Sequence, residues 1–149
     1  MNYTWGHNFG PPLPITSITK LNNFLNYAVT LIPPEKLVVG IPVVGYDWEL
    51  PYAVGISQAN SLNLNSVIDL ASSVNATIQF DEVSYTPYFE YSAEQFEASI
   101  DYIVWFIDAR TIDAGLKLSL GYDINGSGIW NIMIYYAQMW LVINSQYEI

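Results

Sequence analysis

The chain contains no cysteine, so no disulfide framework and no thiolate metal site can be drawn from it, and it gives no clue to redox compartment. A single histidine, His7, excludes a histidine metal cluster. There are only 4 basic residues, Lys20, Lys36, Arg110 and Lys117, and they are scattered along the chain. Nothing here makes the basic patch that releases counterions from a phosphate backbone, so no nucleic acid partner is expected. Charge of either sign is scarce, at 12% of the residues against roughly 25% in a typical soluble domain. A long apolar run is also missing. The longest, Ile129 to Ile143, is interrupted by Asn131 and Gln138 and falls short of the roughly 18 residues that read as a span, so no membrane span is expected. The N-terminus shows no basic region followed by an apolar stretch, so no secretion signal is expected either.

What the chain does have is apolar and aromatic surface. Over its 149 residues, 52% are hydrophobic and 15% aromatic, and 14 acidic residues set a net charge of -10. This length suits one domain, and the composition is too apolar for disorder. A small self-contained domain covers its large relative surface with charge. Here the apolar surplus requires another covering.

Gly6 to Pro14 holds three prolines and two glycines and must be a loop. From Thr16 to Leu31, Ile18, Leu21, Leu25 and Ala28 recur at helical spacing, predicting an amphipathic helix ended by Pro33-Pro34. Lys36 to Gly45 is apolar without alternation, which predicts a strand buried on both faces in a helix-covered parallel sheet, with Pro42 near its end. Leu64, Val67, Ile68 and Ala71 share a helical face. Thr77 to Phe80, Tyr85 to Tyr91 and Ile100 to Phe106 read as strands, so a small α+β insertion is expected. Asp108 is a candidate N-cap for a helix with face Ile112, Leu116 and Leu120, in which Gly115 costs about 1 kcal/mol relative to alanine. Asp123 to Gly128 reads as a turn, Ile129 to Ile134 as a last buried strand, and the rest as an apolar tail.

Few catalytic patterns are available. There is no G-x-S-x-G elbow and no phosphate-binding glycine motif, and His7 reads as a solvated loop residue. Asp81-Glu82 is an adjacent carboxylate pair, but glycoside cleavage needs two carboxyls across one bond, and strand neighbours point to opposite faces. A solvated strand end is the better reading. The aromatics say more. Tyr3 and Trp5, Tyr46 and Trp48, and Trp130 each lie within or just after an expected strand. Rings there can stack on sugar faces while their polar tips bond hydroxyls, although for any single one a core position is an equal reading.

Several segments together resemble glycoside hydrolase family 18: Met1-Asn2-Tyr3-Thr4-Trp5, Gly10-Pro11-Pro12-x-Pro14, Ile32 to Pro42, and Gly45-Tyr46-Asp47-Trp48-x-Leu50-Pro51-Tyr52. The match continues through Phe80-Asp81-Glu82, Pro87-Tyr88-Phe89-x-Tyr91, Val104-Trp105-Phe106-x-Asp108-Ala109-Arg110, Trp130 and Gln138-x-Trp140-Leu141. It is most similar to the peptidoglycan-hydrolysing N-acetylglucosaminidases of spore germination. The resemblance implies an α/β fold, a partial (β/α)8 TIM barrel covering the sixth to eighth strand region, with a small α+β insertion. Residues 1–52 would be the end of the sixth strand, a helix and the seventh strand. Residues 53–107 would be the insertion, and 108–149 the last barrel helix, eighth strand and tail.

The same resemblance implies the function. The ligand would be an N-acetylglucosamine-containing glycan, peptidoglycan or chitin, at a cell-wall, spore or extracellular location, with no cofactor and no metal. Substrate-binding residues would be Met1, Tyr3, Tyr46 and Trp130, with Tyr3 bonding the N-acetyl carbonyl and Trp130 flooring a sugar subsite. The family's D-x-x-D-x-D-x-E signature, which ends in the general acid, has no counterpart in the chain, so no catalytic residue is expected. Thr4 stands where the family's M-x-Y-D motif has its aspartate and supplies no charge. The chain is expected to be inactive alone and to self-associate or pair with a missing N-terminal part through open barrel edges. A non-catalytic glycan-binding module and a degenerate fragment are the alternatives.

Overall fold

Helix formation starts where the apolar stripes and caps place it. In the computed structural model, which describes residues 6–95, 98–131 and 133–147, α1 spans Ile18–Ala28 and is capped by Ser17, whose side chain accepts from the Lys20 N–H. Leu21, Leu25 and Ala28 are its buried stripe. The helix ends short of the expected Leu31, at Val29, and Pro34–Lys36 form one 3-10 turn that leads into β1 (Val38–Pro42). The prolines start the next turn rather than ending the helix.

After β1 come β2 (Gly45–Leu50), β3 (Asn60–Leu62), α2 (Leu64–Ser73), β4 (Gln79–Asp81), β5 (Thr86–Gln95), β6 (Ala98–Phe106), α3 (Ala109–Leu120), β7 (Gly126–Trp130) and α4 (Ala137–Gln146). Two sheets result. β1 and β7 pair parallel, and β3-β2-β6-β5-β4 form an antiparallel sheet. The chain is thus a mixed α/β fold in which β1, α3 and β7 make a crossover unit with the larger sheet inserted into the crossover.

α2 uses Asn63 as its cap, with Leu64, Val67 and Ala71 buried, while Ile68 is 42% exposed and lies off the expected face. Asp108 caps α3 as its chemistry requires, accepting from the Arg110 and Thr111 N–H groups at 2.9 and 3.2 Å. Ile112 and Leu116 are buried on α3, but Leu120 is not; Ser119 takes the buried place and returns its hydroxyl to the Gly115 carbonyl at 2.8 Å. Gly115 faces open space. It lines a small apolar cavity with Thr16, Ile18, Leu21, Ile41 and Thr111.

Three further expectations fail. The last strand is Gly126–Trp130, not Ile129 to Ile134, because Gly126, Ser127 and Gly128 pair with Val38, Val39 and Gly40 instead of turning. The tail is the helix α4, whose apolar residues run all round it, with Met139 buried and Leu141 exposed. β1 is not buried along its whole length on both faces: Val39, Ile41 and Pro42 are enclosed, while Val38 at its start is 57% exposed and Gly40 is intermediate. Pro42 is its last residue, as expected.

The core is continuous between the two sheets. Ile15, Leu25, Val39, Ile41, Ile112 and Leu116 pack the parallel layer, and Trp48, Leu64, Val67, Phe89, Val104 and Phe106 pack the inserted sheet. Polar ties reinforce the joint: the Thr111 hydroxyl donates to the Tyr85 carbonyl (3.0 Å), and the Ile18 N–H to the Ser84 carbonyl (3.0 Å). Among the described residues no helix is long and apolar enough to cross a membrane.

Candidate functional site

The carboxyl ends of parallel strands are the usual place for ligands in α/β folds, because side chains and loops converge there. β1 and β7 end level, with Pro42 opposite Trp130, and the Val43 N–H donates to the Trp130 carbonyl at 2.8 Å. Trp130 is 49% exposed. Its peptide bond to Asn131 is cis, and the Asn131 side-chain oxygen accepts from the Met133 N–H at 3.1 Å.

Just beyond Pro42 the chain enters β2, whose alternation sends Tyr46 and Trp48 to one face and Asp47 to the other. Trp48 is fully buried, and its indole N–H donates to the Gly10 carbonyl at 3.0 Å, which clamps the proline-rich loop on the sheet. Tyr52 and Ala59 hold the same loop, donating to the carbonyls of Phe9 (3.3 Å) and Asn8 (2.7 Å). Tyr46 meets Trp48 edge to face at 5.6 Å and stays half-buried. Of the two, Trp48 is an anchor, and Tyr46 is the ring with surface to offer.

The register extends Tyr46 into a row. Tyr46 lies opposite Trp105 on β6, Trp105 opposite Tyr88 on β5, and Tyr88 opposite Gln79 on β4. Trp105 and Tyr88 stack at 4.5 Å, and the Tyr88 hydroxyl donates to the Gln79 side-chain oxygen at 3.0 Å. The Trp105 indole nitrogen is buried and without an acceptor. Reading the sequence strand by strand misses this row. Its signal was the position of Tyr88 and Trp105 on the period-two pattern, which means nothing until the strand order is known.

On the opposite face the Tyr91 hydroxyl donates to one Asp47 carboxylate oxygen at 3.0 Å, while the other is buried without a partner. Burial pushes the Asp47 carboxyl up from the usual carboxylate range, and the Tyr91 hydrogen bond opposes that shift. Burial, together with the Asp47 charge, raises the Tyr91 phenol well above its ordinary value. Tyr91 stacks on Tyr102 at 4.8 Å. This pair faces away from Tyr46 and serves the sheet.

The Asp81-Glu82 pair is divided between two environments. Asp81 accepts from the Ser84 hydroxyl and from the N–H groups of Ser84 (2.9 Å) and Val83 (3.4 Å), and the hydroxyl above all holds its carboxyl below the usual range. Glu82 is exposed. Asp81 thus closes a turn. Among the described residues no His, Cys, Asp or Glu cluster is suited to a metal ion. Of the residues the sequence singled out for a sugar, Tyr46 and Trp130 lie at the same end of the parallel layer, while Met1 and Tyr3 fall outside the described residues.

Over all 149 residues the chain is 33% identical to the cortical fragment-lytic enzyme of Bacillus subtilis (strain 168), and it spans 34% of that protein. It matches the crystal structure of the Bacillus cereus spore cortex-lytic enzyme SleL with a TM-score of 0.90 and 31% identity, covering 99% of this chain and 34% of that one. A chitinase from Chromobacterium violaceum, 24% identical, gives a TM-score of 0.85 over 97% of this chain and 43% of that one, a likeness of fold. The chain spans about a third of the length of the curated relatives it matches. No family model matches it. The resemblance to spore cortex-lytic and chitinase-like proteins that the sequence motifs carried therefore holds, over part of each relative.

Proposed function

We propose that the chain forms one wall of the substrate cleft of a family 18 glycoside hydrolase acting on N-acetylglucosamine-containing polymers, peptidoglycan or chitin. In this reading β1 and β7 are adjacent strands of a (β/α)8 barrel, the seventh and eighth. The α+β insertion is 53–107 and supplies β3 to β6 of the five-stranded sheet, which β2 joins from the barrel segment 1–52, and 108–149 is the last barrel helix, strand and tail. The observation that carries it is that Trp130 ends β7 and Tyr46 follows shortly after the end of β1, on the carboxyl side of a parallel pair, where barrel enzymes build their sites. The half-exposed Trp130 ring would floor one sugar ring, and Tyr46 would flank it. By the family resemblance, Tyr3 would bond the N-acetyl carbonyl and Met1 would be a further substrate-binding residue.

The wall carries no general acid, so the isolated chain would bind without cleaving. Loss of that group typically costs about 10² to 10⁴ in rate. Two measurements on the purified chain test this. Titration with chitooligosaccharides should perturb tryptophan fluorescence weakly, and Trp130→Ala should abolish the change. A chromogenic N-acetylglucosaminide should release no product. Product release would overturn the wall reading in favour of a self-sufficient enzyme. Tight saturable binding that Trp130→Ala leaves intact would point instead to a glycan-binding module with another site.

A further inference from the structure

The start of α2 and the turn after β7 enclose a recess that the glycan wall does not use. It measures about 280 Å³ and is lined by Asn63 and Asn65 on one side and by Met133, Ile134 and Tyr135 on the other. Both sides are held in place. The Met133 and Ile134 N–H groups donate to the Asn131 side-chain oxygen and carbonyl at 3.1 and 3.2 Å, and the Asn65 side-chain nitrogen donates to the Tyr135 carbonyl at 3.2 Å, which ties α2 to the turn. Asn63 caps α2 through its side-chain oxygen, which accepts from the Ser66 N–H at 2.9 Å. Its amide NH2 group, the Asn65 side-chain oxygen and the Tyr135 hydroxyl have no partner among the described residues. Met133 and Tyr135 are 88% and 69% exposed. In a chain of net charge -10, no charged residue lies between Glu49 and Asp69 or between Asp123 and Glu148.

We infer that this recess is a second glycan site, which anchors a neutral N-acetylhexosamine unit of the polymer away from the cleft wall; its ligand class rests on the reading above, its place does not. Asparagine amides offer donors and acceptors to hydroxyl and acetamide groups, while Tyr135 and Met133 offer apolar surface to a ring face. A few fixed polar groups set in apolar surface are the make-up of a small-ligand site, and the volume is near the lower end for such sites, about 300 Å³. An ionic ligand would find no opposite charge in the lining and would lose its water without compensation. The recess is also separate from Tyr46. Side chains alternate along β2, so Gly45 and Tyr46 face opposite ways. A Cβ on Gly45 would meet Val67 Cγ2 at 2.6 Å, which puts α2 on the Gly45 face and the sheet between α2 and Tyr46. Holding one part of a polymer here raises the effective concentration of the rest at the wall without any new contact there.

The test is a titration of the chain, isotope-labelled at its methionine methyls, with the tetrasaccharide of N-acetylglucosamine, followed by NMR and in parallel by tryptophan fluorescence. The Met133 methyl should shift weakly but saturably, while that of the fully buried Met139 stays in place. Tyr135→Ala should weaken that binding roughly three- to tenfold, the size of one lost aromatic contact. Asn63→Ser keeps an oxygen for the α2 cap but removes the amide donor. It should act in the same direction, which keeps the test decisive if the alanine variant misfolds. Trp130→Ala should abolish the fluorescence response and not the Met133 shift. A fluorescence response without a Met133 shift overturns the recess and leaves the wall reading standing. A Met133 shift that Trp130→Ala removes overturns the separation of the two sites. A shift that both recess variants leave intact overturns the recess as the seat of the ligand, and an equal shift with tetraglycine overturns the choice of ligand. Silence in both readouts overturns this site together with the glycan reading.

Discussion

The two sheets of this molecule solve the same burial problem to different degrees. The inserted antiparallel sheet is closed mostly by its own segment: β5 and β6 pair from Tyr88–Trp105 to Gln95–Ala98, β2 pairs with β6 over its whole length and α2 covers one face, while the proline-rich loop from before β1 clamps Trp48 from the other. The parallel pair has two strands of five residues, with Val38 at one end and Trp130 at the other about half exposed. Antiparallel pairing is local and needs only hairpins, whereas parallel strands need crossovers and cover on both faces. A sheet that completes itself can be inserted anywhere in a chain, while a sheet of crossovers depends on every strand that closes it.

Breaking the inserted sheet should have the largest effect. Trp48→Ala removes a fully buried ring and the donor to the Gly10 carbonyl, and should cost about 3 to 5 kcal/mol, read as a fall in the urea midpoint. A loss near zero would mean that the sheet is not the stable half. Next is Asp47→Asn. A carboxyl raised on folding opposes stability once ionised, so Asp47 contributes stability that grows as pH falls through its raised value and is lost above it. The variant should flatten that part of the pH profile and be more stable than the wild type at pH 7, since an unpartnered neutral group costs less than a buried charge. Asp81, lowered mainly by the Ser84 hydroxyl, works in the opposite sense, so the comparison must be variant against wild type at each pH. An unchanged profile would show that Asp47 is not the buried acid. The smallest effect concerns the parallel layer. Gly115→Ala adds a methyl where nothing lies within 4 Å and should stabilise by about 1 kcal/mol, read as a rise in Tm. A destabilised variant would mean that this layer has no slack to fill.

These contrasts also decide what could be read in advance. The α1 and α3 stripes and the Asp108 cap were legible because helix signals are local. So were β5 and β6, rich in aromatic and β-branched residues. α4 was hidden because apolar side chains surround it and leave no period to detect. β7 was hidden because Gly-Ser-Gly is turn chemistry, and only the distant register with Val38 to Gly40 makes it a strand. The site was legible in the same uneven way. Tyr46 and Trp130 stood out singly at strand ends, but the Tyr46–Trp105–Tyr88 row and the Asp47–Tyr91 bond exist only through strand order, which no local pattern states.

The Gly40–Gly128 pairing also bears on time. Everything from β2 to α3 lies between these partners, so closing them from an open chain means closing a long loop, whose entropy opposes contact before any contact can stabilise it. Once the inserted sheet has folded, its two ends, Gly45 and Phe106, lie side by side as register partners, and the loop to be closed shrinks to the few residues before Gly45 and the α3 segment after Phe106. The insertion thus acts as a clasp on the folding path, and the parallel pair is expected to form last and to open first.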